Sequence, residues 1–263
     1  MEDFVRMEER PIIVEGVELN KHKAIYDPVA KRTVSVVGSG YQLVQNADVF
    51  PQFEDAIRLS GLDSNGMERD ISTSHGGGRT VVSYTFPEHK VQVKEDDYVD
   101  LKLTILNSYD TSWRFRVLGG AFRLLCANGM IVGDTFLEYS GKHTSSLDTE
   151  RAIANLDNSL QGFLATADLW KQYPKVKTTP LQVNNIFERL AKGSKSMVKY
   201  LEECHKMYVD ELGQNLWALF NTLTEWSSHH EIKNKQNAPS IIVNREERVR
   251  KLLPMLEDLR LAA

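Results

Sequence analysis

Short runs of alternating apolar and polar residues dominate the first half of the chain and predict β-strands. Residues 12–14 and 17–19 flank Glu15-Gly16 in the pattern of a small hairpin. Further strands are predicted for residues 24–26, 33–37, 67–73, 79–86, 91–93, 98–106 and 112–118. Because turn-forming segments separate the later runs, we expect these strands to form an antiparallel meander.

The last two predicted strands each have one apolar and one polar face. Apolar side chains occupy alternate positions at Val99, Leu101, Leu103 and Ile105, and again at Trp113, Phe115 and Val117. Polar side chains fill the intervening positions at Asp100, Lys102, Thr104, Arg114 and Arg116. We therefore expect helices to cover the apolar face, with Trp113 in the core, and the polar face to contact water or a ligand.

Apolar spacings of three and four residues in the second half predict amphipathic helices. These helices cover residues 148–170, 179–193, 197–208, 216–226 and 245–261, the last kinked at Pro254. Asn46 is placed to cap one earlier helix over residues 47–59, and the polar stretch 227–240 predicts a mobile loop. The expected fold is α+β, an antiparallel meander packed on helices. Residues 1–145 form its β-rich core, and residues 146–263 form a helical extension of the same domain.

Composition indicates an ordinary soluble protein with 263 residues, of which 41% are hydrophobic and 26% charged. The first residues lack the basic flank and apolar core of a signal peptide, and no apolar run approaches the roughly 20 residues that cross a bilayer. We expect a cytoplasmic protein of the host cell with no membrane contact. The net charge is −4, although residues 101–133 hold four cations, Lys102, Arg114, Arg116 and Arg123, against Asp110 alone.

The sequence offers little catalytic chemistry. The Cys126 thiol lies in an apolar run, which favours a buried, inert side chain over a nucleophile. Gly76-Gly77-Gly78 leads into a strand and not into a helix, so the geometry of a phosphate-binding loop is missing. We therefore expect no enzyme, no nucleotide cofactor and no metal; a small-molecule enzyme that uses Cys126 is the least favoured alternative.

Cations, amides and aromatic residues alternate between residues 103 and 133, a mixture typical of single-strand binding because phosphates attract cations and bases stack on aromatic rings. The candidate residues are Lys102, Asn107, Tyr109, Arg114, Arg116, Arg123 and Asn128. The alternative is that the aromatic residues belong to the core and the arginines solvate a sheet.

Two sequence patterns resemble those of a known family. The first pattern comprises Tyr41, Val44, Asn46 and Phe50, and the second comprises Asn107, Ser108, Asp110, Phe122, Arg123, Cys126, Asn128, Gly129 and Met130. Both are similar to the phage- and plasmid-borne family labelled domain of unknown function 932, in a match that spans residue 22 to about residue 225. The family label carries no activity. Its setting, with a β-meander backed by helices, is similar to phage single-strand annealing proteins of the Redβ, RecT and Rad recombination-mediator kind, which form rings or filaments.

The leading hypothesis is a phage-type protein that binds single-stranded DNA and promotes annealing in recombination or replication, as a homo-oligomer. Lys102, Arg114, Arg116 and Arg123 would hold phosphates. Tyr109 would stack a base, while Asn107 and Asn128 would add hydrogen bonds or fix the hairpin. The alternative is a phage-encoded interaction protein that inhibits or modulates a host complex.

Overall fold

A small N-terminal sheet opens the chain. The computed structural model describes residues 4–123, 128–131, 138–154, 156 and 159–263. Strands β1 (Glu8–Val14), β2 (Val17–Asp27) and β3 (Arg32–Gly38) pair antiparallel in that order. Glu15 and Gly16 both have positive φ angles, 51° and 77°, as the two central residues of a tight hairpin turn require. The predicted hairpin is confirmed.

A larger antiparallel sheet follows, and it confirms the predicted meander. Within the described residues its strands are β4 (Glu68–Ser74), β5 (Arg79–Lys94), β6 (Asp97–Ser108), β7 (Phe115–Arg123), β8 (Asn128–Ile131) and β9 (Glu138–Gly141). The order is β4-β5-β6-β7-β8, and β9 pairs with the first half of β7.

Several strand predictions need correction. The runs 17–19 and 24–26 belong to one strand, β2, and neither β8 nor β9 was predicted. The runs 79–86 and 91–93 belong to one strand, β5, whose register shifts between Phe86 and Lys90 around Pro87, a residue that cannot donate a ladder hydrogen bond. The strand predicted to begin at residue 112 begins at Phe115. Before it, the backbone N–H of Trp113 donates to Ser108 Oγ and the Ser108 hydroxyl donates to the carbonyl of Trp113, which holds a loop. Trp113 is consequently half-buried in that loop and is not a core residue.

Helices make up most of the second half. Helix α1 (Asn46–Leu59) lies in the first half. The helices described in the second half are α2 (Thr149–Ala154), α3 (Ser159–Trp170), α4 (Pro180–Ala191), α5 (Lys195–Leu212), α6 (Leu216–His229), α7 (Ala238–Arg250) and α8 (Leu253–Leu261). Thr179 and Gln182 form a capping box at the start of α4, with Pro180 in the first turn. This start is the one predicted from the sequence.

Several helix boundaries differ from the prediction. The helix expected over residues 148–170 is two helices, α2 and α3, and the helix expected over 245–261 is also two, α7 and α8. Pro254 lies in the first turn of α8, where its missing N–H costs nothing, so it starts a helix and does not kink one. The predicted mobile loop 227–240 contains the end of α6 and the start of α7. Asn46 begins α1, and Gln45 precedes it as the cap residue, whose side chain bonds the backbone of Met7 and does not cap the helix.

One hydrophobic core joins the large sheet to the helices. Phe53 of α1 contacts Phe115 of β7, with 6.2 Å between the ring centroids, and Phe163 of α3 belongs to the same cluster. Helix α6 is buried on almost every side because α5, α7, α8 and the edge strand β8 surround it. Among the described helices, none is long and apolar enough to cross a lipid bilayer. The expected division into residues 1–145 and 146–263 stays a prediction.

Candidate nucleic-acid interface

Arg123, at the end of β7, is fully buried and paired with acidic side chains of the protein itself. Its guanidinium donates to the two carboxylate oxygens of Asp97 at 2.7 and 2.8 Å, and to Glu211 of α5 at 3.1 Å. The indole Nε1 of Trp217 in α6 donates to the same Asp97 carboxylate at 2.7 Å. Arg123 therefore ties the sheet to two helices, and in this fold a phosphate cannot reach it.

Asn107 and Tyr109 are also buried, and they fix the start of α1 against the sheet. The amide of Asn107 donates to the Val44 carbonyl at 2.9 Å and to Asn46 Oδ1 at 2.7 Å. The Tyr109 hydroxyl accepts the backbone N–H of Asn46 at 2.9 Å, and burial raises the pKa of Tyr109 to about 12. A ring that is almost wholly enclosed cannot stack on a base, which corrects the expectation for Tyr109.

Helix α7 lies over the sheet face expected to contact a ligand. Arg116 forms an ion pair with Glu247 of α7, and its side chain is only 14% exposed. Burial raises the pKa of Glu246, the neighbouring acid on α7, and the nearby charge of Lys102 opposes that rise. Lys102 and Glu246 both line a cavity of about 240 Å³ between α7 and the strands. The expectation that this polar face is open is therefore wrong, because the chain covers it with its own helix.

A further acid reduces the positive charge of the same strand face. Asp100 lies two residues before Lys102 on β6, so both side chains leave the strand on one face. Asp100 is buried, and its Oδ1 has no hydrogen-bond partner among the described residues. Burial raises the pKa of Asp100 to about 6, although the charge of Lys90 on the next strand lowers it. Three carboxyl groups, those of Asp100, Glu246 and Glu247, therefore lie at the face that carries Lys102 and Arg116.

Arg114 differs from the other candidate cations because it is exposed. It follows Trp113 in the loop before β7, and no described residue forms a hydrogen bond or an ion pair with its side chain. The guanidinium carbon of Arg79 lies 5.6 Å from the centroid of the Trp113 ring, while Arg79 Nε donates to Asp110 at 2.7 Å. Trp113 is thus held beside Arg79, which Asp110 partly neutralises, and Arg114 is the next residue in the chain.

Arg32 of β3 lies at the same end of the sheet. It is exposed, and its guanidinium donates to the carbonyl of Gly76 at 2.7 Å, in the turn that leads into β5. A Cβ atom built on Gly78 would lie 3.3 Å from Val34 and 3.7 Å from Asp110, which places β3 next to the loop before β7. Arg32, Arg79, Trp113 and Arg114 are named the loop-end cluster below.

Asn128 and Cys126 lie in or beside a segment that the structure does not describe. Asn128 begins β8 and pairs through its backbone with Arg123, but its side chain lies outside what the structure describes. Cys126 also lies outside the described residues. The sequence did not reveal Asp97 and Glu247 as partners of the arginines. Asp97 stands in a short acidic run between two predicted strands, and Glu247 lies 131 residues from Arg116.

The architecture defines an α+β protein in which C-terminal helices pack on an antiparallel sheet, and the ion pairs Arg123–Glu211 and Arg116–Glu247 join helices to strands. The sequence matches the family described as Domain of unknown function (DUF932) over residues 33–252. Because the match covers most of the chain, the protein belongs to this family. No curated protein and no solved structure matches it. Strands β1 and β2 precede the matched range.

Removal of the Arg114 side chain, in the loop before β7, and of the Arg116 side chain, within β7, should change the free energy of unfolding by different amounts. Arg116→Ala breaks a partly buried ion pair and should lower the free energy of unfolding by about 0.5–2 kcal/mol. Arg114→Ala removes an exposed side chain and should change it by less than about 0.5 kcal/mol. Urea unfolding of both variants measures the difference. Equal losses, or an Arg116→Ala effect that is unchanged in a Glu247→Gln background, would contradict the assigned ion pair.

Proposed function

We propose that this protein binds single-stranded DNA and acts as a phage-type annealing protein in recombination or replication, without a nucleotide or a metal cofactor. The observation that carries the proposal is the loop-end cluster, in which the guanidinium carbon of Arg79 lies 5.6 Å from the centroid of the half-buried Trp113 ring and the exposed Arg114 is the next residue in the chain. Single-stranded DNA is bound through this combination, because bases stack on aromatic faces and phosphates attract cations.

Each member of the loop-end cluster has a distinct role in the proposal. Trp113 stacks a base, and Arg114 contacts an adjacent phosphate. Arg79 supports the indole from behind, since its own hydrogen bonds to Asp110 at 2.7 Å and Ser112 at 2.6 Å hold it in place. Arg32 extends the cationic surface along the end of the sheet. The DNA strand would thus cross loops presented by a rigid sheet and would not lie along the strands.

We also propose that the protein assembles into a homo-oligomer. An antiparallel meander backed by helices is similar to the fold expected of single-strand annealing proteins, and a homo-oligomeric ring or filament would align many loop-end clusters along one strand. Avidity from such an array would raise the overall affinity above that of one subunit. The net charge of −4 favours binding confined to this cluster over binding across the whole surface.

Fluorescence anisotropy with a labelled oligothymidylate across a salt series tests the proposal. Two exposed cations, Arg32 and Arg114, should give a slope of log affinity on log salt of about −1 to −2 per subunit, at roughly 0.7 per phosphate neutralised. Trp113→Ala should weaken binding by about tenfold or more, the usual cost of a lost stacking contact. Arg114→Ala should weaken binding and flatten the slope by somewhat less than one unit.

Arg151→Ala is the matched control, because Arg151 is exposed on α2 and its only described hydrogen bond uses the backbone N–H. This variant should bind as the unchanged protein does. Absence of binding at low salt, or equal effects of Arg114→Ala and Arg151→Ala, would remove the proposal.

A second candidate function, a protein that modulates a host complex by direct contact, is favoured by the N-terminal hairpin. The tip of β1 and the first half of β2 are exposed on both faces, and they carry Ile13 at 63% and Val17 at 65% exposure, with Val14 and Leu19 beside them. Beyond His22, β3 no longer pairs with β2, so the tip is a two-stranded arm. Clustered apolar side chains on such an arm are typical of a protein contact.

Photo-crosslinking from the hairpin tests this second candidate. A photoreactive phenylalanine analogue in place of Val17 should crosslink a partner protein in the host cell, whereas the same analogue in place of Val29, which is 73% exposed in the β2–β3 turn, should not. Equal crosslinking from both positions would show that the arm has no particular affinity for a protein surface.

A further inference from the structure

The cavity between helix α7 and the large sheet has a polar floor. Its volume is about 240 Å³. Asp70 of β4, Ser83 of β5 and Thr104 of β6 are direct partners across the three strands, so their side chains leave the sheet on one face and form a row beneath α7. Ser72 lies two residues after Asp70 on β4, so it points to the same face and also lines the cavity.

The other wall of the cavity is the apolar side of α7, with one acid. Ile242 and Val243 line the cavity from the helix, and Val81 lines it from β5. Glu246 lies one turn after Ile242 and brings a carboxyl group to the part of the cavity near Lys102. The lining therefore combines an apolar surface with hydroxyl groups and carboxylates.

The carboxylate of Glu246 has no hydrogen-bond donor in the described part of the chain, and no described cation lies within ion-pair distance of it. Both of its oxygens keep accessible surface, so a donor can reach them. Burial raises the pKa of Glu246, and the charge of Lys102 only opposes this rise from a distance. A partly buried carboxylate is costly without a donor or a counter-charge, so this arrangement indicates that a donor from outside the chain completes it.

The ionisable groups that line the cavity are two acids, Asp70 and Glu246, and one base, Lys102. Asp70 belongs to β4, at the edge of the sheet, whereas Glu246 lies near Lys102 of β6. Strands β4 and β6 are separated by β5, which corresponds to about 10 Å across the sheet. The two carboxyl groups thus lie toward opposite ends of the cavity, with apolar and hydroxyl groups between them.

Contacts at both ends of α7 hold the helix above this polar floor. Ser240, in its first turn, forms a hydrogen bond of 2.6 Å with Ser74 of β4, and Asn237 accepts the backbone N–H of His75 at 3.1 Å. Glu247 fixes the second half of the helix through its ion pair with β7. The cavity is therefore already formed in the folded chain, and a ligand would bind it with little ordering of the protein.

We propose that this cavity binds a short aliphatic amine through its ammonium group. An ammonium group donates three hydrogen bonds and carries the charge that the carboxylate of Glu246 lacks. Hydroxyl groups of the floor accept its other N–H bonds, while the methylene groups pack on Val81, Ile242 and Val243. A second ammonium group at the far end of the ligand would meet Asp70. The cavity is smaller than the pockets of drug-sized ligands, so its occupant has only a few carbon atoms.

Water molecules explain only part of this arrangement. The cavity has room for several, and water can bond to the hydroxyl groups of Ser72, Ser83 and Thr104. Water supplies no counter-charge, however, and one base against two ionised acids leaves the lining with a net charge of −1. An ammonium group supplies both the donors and the charge. The site shares no residue with the loop-end cluster, so it stands independently of the proposed DNA binding.

Isothermal titration calorimetry of the full chain tests the site with three probes: 1,4-diaminobutane, butylamine and the neutral 1,4-butanediol. Both amines should bind and the diol should not. Glu246→Gln should weaken amine binding by about tenfold or more, because it removes a charged hydrogen-bonding partner. It should leave the melting temperature of the free protein no lower, since a neutral amide replaces a carboxylate without a donor.

Two further variants complete the test. Thr104→Val keeps the shape of the side chain but removes a hydroxyl group, and it should weaken amine binding by roughly three- to tenfold. Glu150→Gln is the matched control, because Glu150 is an exposed acid of α2, away from the cavity, and its change should leave amine binding as it was. Circular dichroism and the melting temperature show whether each variant is folded.

Amine binding that is weakened in Glu246→Gln and kept in Glu150→Gln supports the site. Tighter binding of the diamine than of butylamine supports a diamine as the occupant, with Asp70 as the second acid, and equal binding supports a monoamine. No heat with either amine at millimolar concentration overturns the proposal, and so does a diol that binds as tightly as the amines. Binding that is unchanged in both Glu246→Gln and Thr104→Val also overturns it, because the amine would then bind elsewhere. Loss of oligothymidylate binding has no bearing on these results.

Discussion

The position of the C-terminal helices depends on a buried ion pair between Arg123 and Asp97. The two residues lie at the end of β7 and the start of β6, adjacent strands of the sheet, and the carboxylate also accepts the indole N–H of Trp217. Burying a guanidinium and a carboxylate is costly unless both are fully hydrogen-bonded, and here the two-point contact satisfies that condition. Since Glu211 and Trp217 belong to α5 and α6, the same contact fixes both helices on the sheet.

The placement of α5 and α6 determines what the other cations can do. Helix α7 packs on α6 and extends over the strands, so Glu246 and Glu247 come to lie beside Lys102 and Arg116. The positive charges of Lys102 and Arg116 therefore interact with acids of the same chain and are not offered to a ligand. The loop that carries Trp113 and Arg114 stays at the surface. A rigid framework with binding groups at its loops is a common division of roles in proteins.

Local pattern predicted the strands well, because alternation is a property of neighbouring residues and the hairpin at Glu15-Gly16 depends on only two positions. It also predicted the start of α4 from Thr179 and Pro180, whose capping chemistry is local. It could not predict which polar residues would be buried, since that depends on partners distant in the chain. Arg116 pairs with an acid 131 residues away, and the acid that pairs with Arg123 stands in a run typical of an exposed turn.

The ion pair between Arg123 and Asp97 can be tested by a double-mutant cycle in urea unfolding, with Arg123→Met, Asp97→Asn and the double variant. Each single change leaves an unpaired buried group and should lower the free energy of unfolding by about 3–5 kcal/mol. The double variant should lose about 1.5 kcal/mol or more less than the sum of the two single losses, because the second change removes a group already left without its partner. Single losses below about 1 kcal/mol that add without coupling would contradict the account and would mean that the helices are held on the sheet by apolar packing alone.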